Sequence, residues 1–523
     1  MPSPRFPALA PLFAVTLGAC APSTATETAA PRPTLAAPEP ARAARTALDP
    51  VLLPVADDAT ISYNIWVAVG SQDDPPGKEG LAALTAAMLA EAGTLTNTYQ
   101  QIVEKLYPMA AEYHATVDRE MTSIRGRTHK DTADRFEALL VDALTRPRFD
   151  PRDFERLKSD AINALDKTLR YASDEELGKA ALYGYVFEGT PYAHPPLGTI
   201  DGLRSITLDD VKEFYNRHFT RDRVVYGLGG GFEPGRADRL EATRALLSAG
   251  PTAPKVVPPK PAPFSGVNVR LVQKDGADAS ISLGYPISVH RGDKDFYALW
   301  VANSWLGEHR NSTSHLYRVI REARGLNYGD YSYIEAFTNG GRRSMPPTNV
   351  GRKQQLFEIW IRTLPNEHAH FALRAAVREF ALLVEHGMTQ EQFELQRSFL
   401  RKYVLHFADT TSARLGYAVD DRFYRLDEGH LDRFQRMMDE LTVADVNAAI
   451  KRHLQYQNLK VAMVTGDAEN LAAALGSDTP SPMRYESEKP PEVLAEDELI
   501  SKYRLNIRPQ DIQIVPVEQM FQR

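Results

Sequence analysis

Thirteen histidines and a single cysteine are the side chains of this 523-residue chain best suited to bind a transition metal. Cys20 is the only cysteine, so neither an intrachain disulfide nor a thiolate zinc cluster can form. The histidine pair closest to a metal-binding spacing is His368-x-His370, but residues two apart on a helix point to different faces. We therefore predict that these two histidines lie on a solvated helix and bind no metal.

A second pair of side chains, Arg321 and Tyr328, carries hydrogen-bond donors seven residues apart. A guanidinium and a phenolic hydroxyl are hydrogen-bond donors, which suits them to a carbonyl oxygen that becomes an oxyanion. The alternative is structural: Arg321 pairs with a nearby acid, Glu322 or Asp330, and Tyr328 packs as a core aromatic. Both interpretations are open at this point.

Charge and composition exclude several classes of protein. The chain has 61 basic and 68 acidic residues, a formal net charge of −7 and a pI near 6.1. No basic excess exists to neutralise a phosphate backbone, so nucleic acid is not an expected partner. A content of 43% hydrophobic residues is typical of an ordinary globular protein, and the length predicts about two to four domains.

The N-terminus is typical of a targeting segment. Residues 1–19 contain one charge, Arg5, and an apolar run that fits a secretory signal peptide. Leu17-Gly18-Ala19-Cys20 resembles a bacterial lipobox, which implies lipid attachment at Cys20; a plain secretory signal with a chance cysteine is the alternative. We expect a disordered Ala/Pro/Thr tether over 20–47 and an outer-membrane lipoprotein of the bacterial cell envelope that faces the periplasm and contacts the membrane through its lipid.

The remainder of the chain repeats itself. A Pro-rich stretch, 251–263, is too rich in proline for a helix or a central strand and predicts a linker. At an offset of 235 residues, Thr-Leu-Asp-Asp-Val at 207–211 matches Thr-Val-Ala-Asp-Val at 442–446, and His218 matches His453. Each copy predicts a Thr-capped amphipathic helix followed by a strand, and we expect both histidines to interact with the helix dipole rather than with a metal.

These patterns predict an α+β protein made of two homologous α/β units, 48–250 and 264–478, followed by a C-terminal tail, 479–523. Strand-like runs such as 61–69 and 281–285 alternate with long helical patterns. The mixture predicts, in each unit, a mixed or antiparallel sheet covered by helices on one face.

Residues 70–82, Gly-Ser-Gln-Asp-Asp-Pro-Pro-Gly-Lys-Glu-Gly-Leu-Ala, followed by Met88-Leu89 and Gly93-Thr94, resemble the opening strand and first helix of the pitrilysin/insulinase family of zinc metallopeptidases. The resemblance spans roughly 48–478 and implies half of a clamshell-shaped peptidase. Other matching stretches, in the expected order, are 146–149, 154–156, 191–192, 198–199 and 321–328.

Active members of this family carry an inverted zinc motif, His-x-x-Glu-His, on that first helix. The flanking anchors place the motif positions at Ala83, Ala86 and Ala87. A third ligand, a glutamate roughly 75 residues further on, would fall near Ala164. Alanine methyls cannot coordinate Zn²⁺, so we predict no metal site, no cofactor and no catalytic residue in this chain alone.

The second-half motif of the family survives. In that family an arginine and a tyrosine in the pattern Arg-x-x-x-x-x-x-Tyr bind the substrate backbone and stabilise the oxyanion, and Arg321 and Tyr328 match it. The resemblance therefore implies a non-catalytic subunit that forms a heterodimer with a zinc-bearing sister chain and helps it to hydrolyse peptides.

Two alternatives are kept. One is a non-enzymatic peptide-binding or scaffold lipoprotein of the same fold. The other is an independent protease with relocated catalytic groups, which would bind zinc itself.

Overall fold

The computed structural model describes residues 48–250, 254–255, 257 and 260–523. The signal peptide, Cys20, the tether and part of the Pro-rich linker lie outside the described residues, so those predictions stay predictions. Among the residues that are described, no helix is long and apolar enough to cross a membrane.

The first half of the chain builds a five-stranded sheet. Its order is β1-β5-β2-β4-β3, with β1 and β5 parallel and the other neighbours antiparallel. The order makes β3 an edge strand. The strands are β1 (Val51–Pro54), β2 (Thr60–Val67), β3 (Glu112–Val117), β4 (Thr122–His129) and β5 (Val224–Gly230).

The second half builds a six-stranded sheet of order β11-β6-β10-β7-β9-β8. Without β11, this order repeats that of the first sheet strand for strand, as two homologous units require. The predicted mixed sheets in an α/β fold are confirmed. The strands are β6 (Val267–Gln273), β7 (Asp278–Ile287), β8 (Asp330–Tyr333), β9 (Gln355–Pro365), β10 (Leu459–Thr465) and β11 (Ile512–Pro516).

Most helices of each half cover one face of its own sheet, and a hydrophobic core fills the space between. Helices of the first half are α1 (Leu81–Ala90), α2 (Tyr99–Leu106), α3 (Ala133–Thr145), α4 (Pro151–Asn163), α5 (Asp174–Val186), α6 (Ile200–Ser205), α7 (Leu208–His218) and α8 (Pro234–Ala242). The others are α9 (Lys294–Gly307), α10 (Ala369–His386), α11 (Gln390–Tyr403), α12 (Thr411–Tyr424), α13 (His430–Glu440), α14 (Val443–His453), α15 (Ala468–Gly476) and α16 (Pro491–Ser501).

The repeated helix cap forms in both halves. The Thr207 side chain accepts a hydrogen bond from the Asp210 backbone at 3.2 Å, and the Asp210 carboxylate accepts one from the Thr207 backbone at 2.8 Å. Thr442 and Asp445 repeat this capping box at 3.2 and 3.0 Å. The helix starts predicted from the sequence are therefore confirmed.

The histidine environments differ from those expected. His218 is buried, and burial together with the Arg223 and Arg217 charges lowers its pKa to about 4, so a charged interaction with the helix dipole is wrong for it. His453 instead lies 2.7 Å from the Asp295 carboxylate.

His370 does not lie on a solvated helix face. Its side chain is buried at the start of α10, and burial and the Arg374 charge lower its pKa to about 4. The prediction failed because α10 packs against both its own sheet and α16, which leaves little of its first turn open to water.

Each half contributes one helix that packs on the sheet of the other half. Helix α5 of the first half packs on the second sheet, and α12 of the second half packs on the first sheet. Gly178 permits the approach of α5, because a Cβ there would lie 3.2 Å from the Ser280 hydroxyl. Gly229 permits that of α12, because its Cβ would lie 3.2 Å from a Thr411 methyl. The exchange joins the halves into one compact unit.

A buried ion pair also links the halves. Arg352 of the second half donates from Nε and Nη2 to the two Asp118 carboxylate oxygens at 2.6 and 2.8 Å, and both side chains are only 3% exposed. Asp118 lies in the turn between β3 and β4, so this contact fixes the edge of the first sheet against the second half.

The tail crosses both halves. Strand β11 pairs in parallel with β6, and the last residues then pack on the first half, where Arg170 Nε donates to the Met520 carbonyl at 2.9 Å. Ile200 donates its backbone N–H to the Phe521 carbonyl at 2.9 Å. The apolar segment near 512–517 thus packs back onto the body.

Candidate functional site

Helix α1 carries the positions of the lost zinc motif. It starts at Gly80, where a φ of 109° favours glycine and where any Cβ would lie 2.6 Å from the Leu197 carbonyl oxygen. Ala83 and Ala87 lie one turn apart on a half-exposed face, and Ala86 is buried. The positions that the resemblance assigns to the motif therefore present methyl groups in place of donors.

Ala164 opens a short π-helical stretch, Ala164–Leu169, that follows α4, and it is half-exposed. Helix α4 packs against α1. Two acidic side chains of α4, Asp153 and Asp160, form ion pairs with Arg156 at 3.3 and 3.9 Å.

These residues do not fit zinc. Zinc needs three or four nitrogen, oxygen or sulfur donors, and the motif positions supply only methyl groups. In the part of the chain that the structure describes, no group of three or more His, Cys, Asp or Glu side chains is arranged to hold a metal ion.

An open strand edge lies beside α1. Strand β3 packs under α1 and pairs only with β4 among the described strands. The side chains of Glu112 and His114 on β3 are exposed. An unpaired edge presents backbone donors and acceptors to which an extended peptide can add.

Arg321 and Tyr328 come together on the second half. Arg321 lies in the π-helical stretch Tyr317–Glu322. Its guanidinium carbon is 4.8 Å from the Tyr317 ring centroid and 5.9 Å from that of Tyr328, and it donates a hydrogen bond to the Tyr317 hydroxyl. Tyr328 is 74% exposed. One cation and one phenol thus share an open surface.

The structural alternative for this pair is not supported. Glu322 lies 4.0 Å from Arg318 and forms no ion pair with Arg321 within the described residues. Tyr328 is too exposed to be a core aromatic. Arg321 does act on Asp330 through its charge, without a hydrogen bond between them.

Two further residues, Arg324 and Asn327, hold this segment, and the sequence argument did not single them out as site residues. Arg324 is buried and donates from Nε to Asp497 of α16 at 2.7 Å. Asn327 donates to an Asp330 oxygen at 2.7 Å and accepts from the Gly329 backbone at 3.2 Å. The signal that the sequence offered was that Arg324 and Asn327 lie within residues 321–328, one of the stretches that resemble the family.

Asp330 has an unusual environment. Its carboxyl is buried, and Oδ2 has no hydrogen-bond partner in the described structure. Burial raises its pKa from the usual 3.8 to about 8, although the Asn327 hydrogen bond and the charges of Arg321 and Arg362 act in the opposite direction. A protonated carboxyl therefore lies just behind the Arg321–Tyr328 surface at neutral pH.

Comparison with known proteins relates the chain to one family of peptidases. The family model described as "Insulinase (Peptidase family M16)" matches residues 51–195, and the one described as "Peptidase M16 inactive domain" matches residues 205–400. An uncharacterized zinc protease of Streptomyces coelicolor is 24% identical over 350 residues, which cover 65% of this chain and 70% of that protein.

A non-peptidase homolog of Helicobacter pylori is 24% identical over 392 residues, which cover 74% of this chain and 84% of its own length. The crystal structure of a peptidase M16 inactive domain from Pseudomonas fluorescens superimposes with a TM-score of 0.69 at 22% identity and covers 79% of this chain and 94% of that one. At that identity the superposition shows a shared fold and nothing further.

Proposed function

The chain belongs to the M16 insulinase family of peptidases, and within that family we propose that it is a catalytically incomplete subunit that pairs with a zinc-bearing sister to bind and help hydrolyse peptides. One observation carries the proposal. The donor pair Arg321 and Tyr328 is kept together on an open surface, whereas the metal positions Ala83 and Ala87 offer only methyl groups.

The role of this chain in the reaction follows from its donors. The Arg321 guanidinium and the Tyr328 hydroxyl donate hydrogen bonds to the carbonyl oxygen of a peptide held at the sister's active site. These bonds strengthen as the oxygen becomes negatively charged, which lowers the barrier. The contact of Arg321 with the Tyr317 ring holds the guanidinium in one place before substrate arrives.

The first half would bind peptide without cleaving it. An extended segment adds to the free edge of β3 through backbone hydrogen bonds. Because α1 beside it presents the small side chains of Ala83 and Ala87, a peptide side chain has room there. If this chain and its sister form the two halves of a clamshell, they enclose the peptide in a chamber, and such a chamber selects unfolded peptides.

We further propose that the protein is an outer-membrane lipoprotein attached through Cys20, with the body in the periplasm. A tether over 20–47 would let the body meet a sister chain while the acyl chains hold it to the membrane.

Reconstitution tests the pairing. The protein is purified from its native membrane and its co-purifying chains are identified by mass spectrometry; the sister is then expressed alone. We expect chelator-sensitive peptidase activity from the mixture and from neither chain alone. A sister that is fully active by itself would show that this chain contributes nothing to hydrolysis.

A non-enzymatic peptide-binding or scaffold protein is the second candidate, favoured by the similarity to the non-peptidase homolog of Helicobacter pylori. The neighbouring reading frame separates the two: an adjacent coding sequence with an intact His-x-x-Glu-His supports the subunit, and its absence supports the scaffold. Metal analysis of the purified chain tests an independent protease, which must contain zinc.

A further inference from the structure

A cavity of about 600 Å³ lies between the two halves. Its floor is the face of the first sheet that points away from the helices of that half, with Ser62, Asn64 and Arg125. Its walls are residues 343–348 of the second half and the first turn of α12. The volume suits a small ligand or a few side chains of a peptide.

The cavity is rich in cationic groups. His114 and Arg125 stand directly opposite each other on β3 and β4, Arg127 follows on the same face, and Arg343 enters from the second half. The acids that line it, Glu112 and Asp409, are both exposed to solvent. Within the described residues, neither Arg125 nor Arg343 forms an ion pair with a carboxylate.

Two of the guanidiniums have unused donors. The Nε atoms of Arg125 and Arg343 are buried and have no hydrogen-bond partner in the described structure. Among the residues that the structure describes, Arg125 makes one side-chain hydrogen bond, from Nη2 to the Thr116 hydroxyl at 3.4 Å. Buried donors without partners are costly, which is a reason to expect a ligand that accepts from them.

The two arginines also act on each other. Burial and the positive charge of Arg343 lower the pKa of Arg125, and Asp420 offsets this only in part. Asp420 is committed to Arg291, whose Nη1 lies 3.0 Å from it. An anion between Arg125 and Arg343 would relieve this repulsion and satisfy both Nε donors, and a carboxylate fits the guanidinium geometry.

We propose that this cavity binds a carboxylate group of a peptide that lies along the edge of β3. The proposal rests on the peptide-binding role given above. Alternate side chains of an added strand point to opposite faces of the sheet, so every second residue of the peptide points to the side of β3 on which His114 and Arg125 lie. The carboxylate belongs to an acidic side chain or to the C-terminus of the peptide.

The test uses the full-length protein and fluorescent twelve-residue peptides in anisotropy titrations. One peptide carries a central Glu with an amidated C-terminus, a second carries Gln there with a free C-terminus, and a third carries Gln with an amidated C-terminus. We expect one or both carboxylate peptides to bind roughly 10-fold tighter than the third. The one that does so identifies the source of the group.

Variants assign the preference to the cavity. Arg343→Gln, on a half-exposed loop, and Arg125→Gln should abolish the 10-fold preference and leave the affinity for the uncharged peptide unchanged. Arg135→Gln, an exposed position on α3, is the matched control and should keep it. Thermal melting of Arg343→Gln verifies that this variant is folded.

Equal affinity for all three peptides, or a preference that survives Arg343→Gln in the folded variant, would overturn the proposal while peptide binding stands. If no peptide binds, the proposed peptide-binding function fails and this inference fails with it.

Discussion

The two halves share a strand order but differ in the helical segments that connect two of their strands. Between β2 and β3, the first half has α1, a regular helix whose half-exposed face carries Ala83 and Ala87. Between β7 and β8, the second half has the π-helical stretch with Arg321, followed by Tyr328. Alanine is the best helix former, so alanine at these positions favours the helical conformation of α1. Sheet and helix packing therefore maintain the same strand order in both halves, whether or not the residues beside it can donate hydrogen bonds.

The largest expected effect comes from placing metal-ligand side chains in the first half. In an Ala83→His, Ala87→His and Ala164→Glu variant, two imidazoles share one face of α1, and a carboxylate is added at the end of α4, the helix that packs against α1. We expect Zn²⁺ binding of roughly micromolar affinity, about 8 kcal/mol, by isothermal titration. Ala83→His alone is the control and should bind far more weakly. A triple variant without bound zinc would mean that the scaffold has changed along with the ligands.

The next largest effect concerns the contact that holds the halves together. Arg352→Met leaves Asp118 charged and buried, so we expect a loss of about 3–5 kcal/mol in the free energy of unfolding, measured by urea denaturation. Arg436→Met removes exposed ion pairs with Glu428 and Glu440 and should cost far less, because water screens both pairs. Equal costs for the two variants would argue that the halves do not depend on the buried pair.

The donor pair itself is tested by Tyr328→Phe in the complex with the sister chain. Loss of one oxyanion donor should lower turnover by ~10². Tyr107→Phe is the matched control, because Tyr107 is 86% exposed and precedes the edge strand of the first sheet as Tyr328 precedes that of the second. If both variants keep full turnover, Tyr328 has no part in the chemistry.

The most gradual effect is a pH dependence that arises in the second half. Asp330 has a pKa of about 8 in the folded protein against a usual 3.8, so the folded state binds a proton that the unfolded state has released. Its contribution to stability is therefore complete below pH 4 and is lost as pH rises towards 8, by at most about 1.4 kcal/mol per pH unit.

Urea midpoints measured from pH 5 to pH 8 check this dependence. Asp330→Asn should show a shallower decline than the unmodified protein, because Asn carries no titrating proton. Parallel declines in the two proteins would place the titration on other groups.

Much of this protein was predictable from residue patterns. The helix caps at Thr207 and Thr442 were predictable because a capping box is local chemistry between residues three apart. The repeat predicted two α/β units, and matching sheets were found. The buried states of His218 and His370 were not predictable, because they depend on neighbours that the chain brings from distant positions.

The sequence alone determined that the motif positions on α1 hold alanine and that Arg321 and Tyr328 keep the family spacing, because residue identity decides which atoms can donate or coordinate. Only the tertiary structure decided that α5 and α12 are exchanged between the halves, that Asp330 is buried behind the donor pair, and that Arg125 and Arg343 face one cavity. Such properties arise from contacts between residues far apart in the chain, and burial, which changes the energy of a charge, exists only once those contacts form.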